Sequence, residues 1–225
     1  MAQRDEFEWL NAWVDQHLSL TLTFARGVSG AEMCRAFGAD PDVVETLTFE
    51  EAADVQAPGP GGGRGPLSAW TLHLLRTQGA DPARIRALEA VRDGDVRDLH
   101  KVRIGECDPW VYAVEVFTTR GAQVATLEAL SKDGAEAVSL SYTPTIAVML
   151  YARDGLLLSG IDMTVPHLRY GADGQHFDSV MSAAGLVGNS PMAPAAGARL
   201  VQLAFGVTVD REMLERPLPA ALLPD

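Results

Sequence analysis

Cysteine is scarce in this chain: its 225 residues include two, Cys34 and Cys107. Two thiols so far apart in sequence make no disulfide framework, which fits a reducing compartment. Lysine is equally scarce. Of 18 basic residues only Lys101 and Lys132 are lysines, against 30 acidic residues and a net charge of −12. Among abundant alanine and glycine, that bias points to a GC-rich bacterial genome. A nucleic-acid binder neutralises phosphates with a basic surface, so this balance speaks against one. It would also be repelled by an anionic membrane surface, and it favours a basic partner. No apolar run reaches the roughly 18 residues that a membrane-spanning helix needs. The opening residues lack the basic start and apolar stretch of a secretory leader, so a cytoplasmic location is expected.

Catalytic motifs are missing too. No G-x-S-x-G elbow occurs. The glycine-rich stretch from Pro58 to Pro66 has no following Lys-Ser/Thr, so it does not read as a phosphate loop. It reads as an exposed connector. Asp93-Gly94-Asp95 lacks the order and the distal Glu of a calcium loop. No cofactor is expected.

What is present is a chain with 47% hydrophobic residues and clear periodicity. Phe7, Leu10, Trp13 and Val14 mark one face of a helix. Leu18, Leu20, Leu22 and Phe24 alternate with Ser19, Thr21 and Thr23, a strand with one buried face. Ser29 and Glu32 make a capping box for a short helix through Phe37. Gly38-Ala39-Asp40-Pro41 predicts a helix stop, a cap and a new helical turn, and Gly79 to Pro82 repeats it. Helices are expected over 68–77 and 81–93, as an insertion. Strands are expected over 102–107, 110–117 and 137–142, then a hairpin across Arg153-Asp154-Gly155. Helices follow over 121–132, 177–184 and 195–205. Strands in runs rather than strict alternation predict an α+β fold, with an antiparallel sheet of about five strands and helices packed on it. The expectation is one domain over 1–225, with a connector and helical insertion at about 57–98.

Val102-Arg103-Ile104-Gly105-Glu106 and Trp110-Val111-Tyr112-Ala113-Val114-Glu115 resemble segments of an uncharacterised actinobacterial domain-of-unknown-function family. So do Thr23-Phe24-Ala25-Arg26-Gly27, Pro166 to Gly171, and Ala184-Gly185-Leu186. The likeness leaves out roughly 57–99. It implies an intracellular α+β domain and carries no catalytic residues with it.

Candidate site residues are therefore read from chemistry alone. Asp162, His167, Asp173, His176 and Asp178 lie close in sequence. Imidazole and carboxylate that converge can bind a metal or move protons. The metal reading rests on Asp162, His167 and His176, the catalytic one on His167, His176 and Cys107. The simpler readings are a polar loop in which Asp173 caps the next helix, and a packed thiol. Glu106 and Glu115 read as solvated strand ends. Arg84, Arg86, Arg92, Arg97, Lys101 and Arg103 form a locally basic stretch, simplest as the outer face of the insertion. Trp70, Arg84 and Trp110 are the candidate binding contacts, because Trp and Arg anchor interfaces. The functional expectation is a non-catalytic protein-binding or regulatory protein, immunity-like in its most concrete form. The alternative is a small-molecule enzyme or ligand-binding domain, sited near His167–Asp178 or Cys107.

Overall fold

The computed structural model describes residues 6–56, 100–115, 118–184, 186 and 191–223. The chain runs α1 (Glu8–His17), β1 (Leu20–Arg26), α2 (Gly30–Ala36), β2 (Val44–Leu47), α3 (Phe49–Gln56), β3 (Lys101–Cys107) and β4 (Trp110–Glu115). A 3-10 turn (Arg120–Ala122) leads to α4 (Val124–Leu130), β5 (Glu136–Tyr142), β6 (Ala147–Arg153), β7 (Leu156–Asp162) and β8 (Arg169–Tyr170). Then come α5 (Asp178–Ala183), α6 (Pro194–Phe205), α7 (Arg211–Glu215) and β9 (Leu218–Leu222). Among the described residues nine strands form one sheet in the order β2-β9-β3-β4-β1-β5-β6-β7-β8. Every pairing is antiparallel. The fold is α+β as expected, but the sheet is nearly twice the expected size.

The sheet is covered on both sides. Leu22 and Phe24 of β1, Tyr112 of β4 and Leu140 of β5 pack against Leu10 and Trp13 of α1 and Leu200 and Val201 of α6. The Asn11 Oδ1 accepts from Ala195 N at 2.9 Å and ties those two helices together. On the opposite face, Ala25, Ala113 and Ala137 lie under Met33, Cys34 and Phe37 of the α2 segment and under Leu127 and Leu130 of α4. Small residues on this face let the helices sit close, and each fully buried Leu or Phe contributes roughly 1.5–3 kcal/mol. The alternating strand expected at Leu18–Phe24 thus has two buried faces, not one. Its polar residues Thr21 and Thr23 are satisfied inside: Thr21 Oγ1 lies 2.8 Å from Ser141 Oγ, and Thr23 Oγ1 donates to Ser139 Oγ at 3.3 Å.

Local signals explain several boundaries. The Ser29–Glu32 capping box is present, with Glu32 accepting from Ser29 N at 2.7 Å. Its carboxyl is held below the usual range by those hydrogen bonds. A second box, Thr48 with Glu51, starts α3 in the same way. Asp154 and Gly155 take positive φ (54° and 74°) at the tip of the β6–β7 hairpin, as the tight turn requires. Leu18 takes the left-handed C-cap of α1 (φ 66°), so β1 starts at Leu20 rather than Leu18. Gly38 closes α2 with positive φ, but Asp40-Pro41 opens no helix. Asp40 Oδ1 instead accepts from Asp42 N at 3.0 Å, and the turn feeds β2. The helices expected over 68–77 and 81–93 lie outside the described residues.

Candidate functional site

Antiparallel register lines up one row of side chains across five strands. Cys107 pairs with Trp110, Trp110 with Arg26, Arg26 with Glu136, and Glu136 with Arg153. All lie on the face covered by α6, at one end of the sheet. The Arg26 guanidinium sits 5.0 Å above the Trp110 ring and forms an ion pair with Glu136. Tyr151, one step along β6, donates its hydroxyl to Glu136 Oε2 at 3.0 Å. Burial, then the bond to Glu136 and its charge, push the Tyr151 phenol up to about 12, so it stays a donor at neutral pH. The Tyr151 ring stacks on His176 at 5.0 Å, and His176 Nδ1 lies 3.2 Å from Asp173 Oδ2. Phe205, at the end of α6, packs against both Tyr151 and Trp110. In front of this row opens a cleft of about 390 Å³, lined by Arg26, Cys107, Asp108, Trp110, Phe205 and Asp210 among others.

The expected site residues fall as follows. Cys107 lines this cleft, half-buried, and burial raises its thiol pKa despite the nearby Arg216. A nucleophilic thiol needs the opposite shift. His176 joins the row through Tyr151, whereas His167 is exposed in a turn. Asp162 spends Oδ1 on Thr164 N, Thr164 Oγ1 and Val165 N, at 2.8, 2.6 and 3.1 Å. Among the described residues no three His, Cys, Asp or Glu side chains gather as a metal site. Asp173 meets His176 instead of capping α5, whose N-cap is Phe177. Trp110 is 3% exposed and forms a floor, not a protruding contact. Trp70 and Arg84 lie outside the described residues.

Two buried charges correct the sequence reading. Arg103 was expected on an exposed basic face, and Glu115 at a solvated strand end. Arg103 is 1% exposed. Its Nε donates to Leu47 O at 3.2 Å, Nη1 to Leu214 O at 2.8 Å and Nη2 to Arg216 O at 2.6 Å. Burial lowers its pKa to about 10, so it remains charged. Lys101 is also buried, paired with Glu45 of β2. Glu115 is fully buried on the opposite sheet face. Its Oε1 accepts from the Thr118 hydroxyl and from Arg120 N at 3.0 Å, and Oε2 from Gly121 N at 2.8 Å. Burial raises its pKa more than those donors lower it. Glu106 and Glu115 lie at opposite ends of the β3–β4 hairpin and form no carboxylate pair.

A second, polar recess brings together His17, Glu50, Arg211 and Glu215, which the sequence did not single out. The His17 ring lies 4.4 Å from Trp13 and 4.7 Å from Phe49. Burial lowers its pKa, opposed by Glu215 and Glu50. A folded pKa below the unfolded value of about 6.5 favours the native state only while the imidazole is neutral. Stability is therefore expected to hold above that value and to fall as pH drops through it. Thermal melts between neutral and mildly acidic pH should show this slope, and His17→Gln should flatten it.

These features define a class: a nine-stranded antiparallel sheet held between two helical layers, with a polar row and cleft at one end. A model of a family of unknown function (DUF6461) matches residues 1–202, and the chain belongs to that family. No curated protein and no solved structure matches the chain.

Proposed function

We propose that the protein is a non-catalytic binding protein, regulatory or immunity-like, and that its partner is another protein with a basic surface. One observation carries this reading. On the sheet face covered by α2 and α4, the core continues outward through rows that the helices do not bury. Leu150 aligns with Gly160 and Gly160 with Tyr170; Val148 aligns with Asp162, whose N–H donates to Leu168 O at 3.3 Å. Leu150 is buried, yet Leu168 and Tyr170 are 51% and 43% exposed, and Ile146 at the same end is 42% exposed. Single exposed apolar residues are ordinary, but several on one continuous sheet face mark a docking surface. The Tyr170 ring lies against Gly160 and presents an aromatic surface of the kind that anchors interfaces. Asp162 lies within the patch, and the net charge of −12 favours a basic partner over an acidic one. The raised thiol pKa of Cys107 weighs against the enzyme reading through that residue.

The test compares the wild type with a Leu168→Asp/Tyr170→Ser variant. A protein captured from the host lysate is identified, made recombinantly and titrated against both. Direct binding that weakens at least about tenfold in the variant supports the proposal. A partner bound equally by both forms, or no partner at all, overturns it.

A further inference from the structure

We infer that the cleft at the Cys107–Trp110 turn is a binding site for a small zwitterion of the α-amino-acid class, independent of the docking surface. The argument starts from Arg26. Its guanidinium is fixed underneath by the Trp110 ring at 5.0 Å and on one edge by Glu136. Glu136 is itself fixed by the Tyr151 hydroxyl at 3.0 Å. An arginine held this way has little further freedom to lose on binding. Its side chain is nonetheless 51% exposed, and it lines the cleft. A planar guanidinium edge fits a carboxylate or a phosphate, and the two aspartates of the cleft repel the more highly charged phosphate.

The remaining lining sets the rest of the ligand. Asp108 and Asp210 are both exposed and line the same cleft. Asp210 uses Oδ1 to accept from Met213 N at 2.7 Å, which caps α7 and holds that carboxylate in place. The two aspartates repel a pure anion, while a pure cation leaves the guanidinium edge not taken by Glu136 without a partner. A molecule with a carboxylate at one end and an ammonium at the other meets both kinds of group in the lining. Phe205, Val207 and Met213 add an apolar surface for a side chain. The volume of about 390 Å³ lies in the range for small-molecule sites.

The experiment is calorimetric titration of the full chain with the standard amino acids. Each is compared with its decarboxylated amine and its deaminated acid. An apolar amino acid is expected to bind, with both truncated analogues weaker by about tenfold or more. Asp108→Asn and Asp210→Asn should each weaken it about tenfold, and Arg26→Lys likewise. Asn is as good a helix cap as Asp, so Asp210→Asn should melt with the wild type, which separates lost binding from lost folding. The inference is overturned if no amino acid binds at millimolar concentration, if the amine or the acid binds equally well, or if neither aspartate substitution changes affinity.

Discussion

Arg103→Met is expected to lower the melting temperature by about 10 °C. The guanidinium makes three hydrogen bonds to backbone carbonyls of Leu47, Leu214 and Arg216. Each buried carbonyl left without a donor costs roughly 1–3 kcal/mol. Against that, methionine avoids the cost of burying a charge, which is several kcal/mol. The carbonyls win: the Leu214 contact is buried and the Leu47 and Arg216 contacts are partly so, and water can replace the lost donor only in part. Leu47 ends β2, while Leu214 and Arg216 lie at the end of α7. One side chain therefore joins a strand, a helix end and the turn into β9. A net loss of roughly 3–5 kcal/mol is a large part of an ordinary domain's stability. Arg103→Lys should recover only part of it, since one ammonium cannot reach three divergent acceptors. Thermal and urea melts of both variants check this. A methionine variant that melts with the wild type would show that the three contacts carry no net stability.

Gly121→Ala is expected to destabilise by about 3 kcal/mol or more, at the upper end of overpacking costs. A Cβ there would stand 2.0 Å from Thr23 Oγ1, 2.7 Å from Glu115 Oε2 and 3.1 Å from Phe37 Cζ. None of these can move cheaply. Thr23 is β-branched on a central strand, and Glu115 is fixed by three donors. Gly160→Ala makes the contrast. Its Cβ would meet the Tyr170 ring at 2.3 Å, but that ring is partly exposed and can swing away. The second change should cost under about 1 kcal/mol. A double-mutant cycle with Thr23→Ala isolates the clash: the pair should lose less than the sum of its parts. Additivity would mean that the glycine is required for another reason.

Much of the architecture was legible where periodicity and caps were strong. Ser29 with Glu32, the Asp154-Gly155 turn, and the helix expected over 195–205 all carry local signals that tertiary contacts only reinforce. β2, β8 and β9 fall where the sequence reading placed no strand, for physical reasons. β8 is two residues long, β9 contains Pro219, and β2 is exposed along most of its length. None shows the alternation that marks a half-buried strand. The Thr48–Glu51 box was readable and simply stands after a turn that looked like a helix start. The polar row was hidden for a different reason. Arg26, Glu136 and Tyr151 are separated by long stretches of sequence, and only strand register brings them together. Arg103 and Glu115 misled because charged residues in a strand usually face water, while these two satisfy backbone groups inside.

The placement of β9 has a consequence for how the molecule is made. β2 pairs with β9, and β9 with β3, so an early strand reaches the rest of the sheet through a late one. On the ribosome, residues 44–47 emerge long before residues 218–222. The central hairpins can assemble as they appear, but this margin must wait. During that interval Lys101 lacks the setting that buries it, and Arg103 lacks the Leu214 and Arg216 carbonyls. Closure of the nascent protein is thus deferred to its last strand, and a stalled or truncated chain would display a charged, unfinished border.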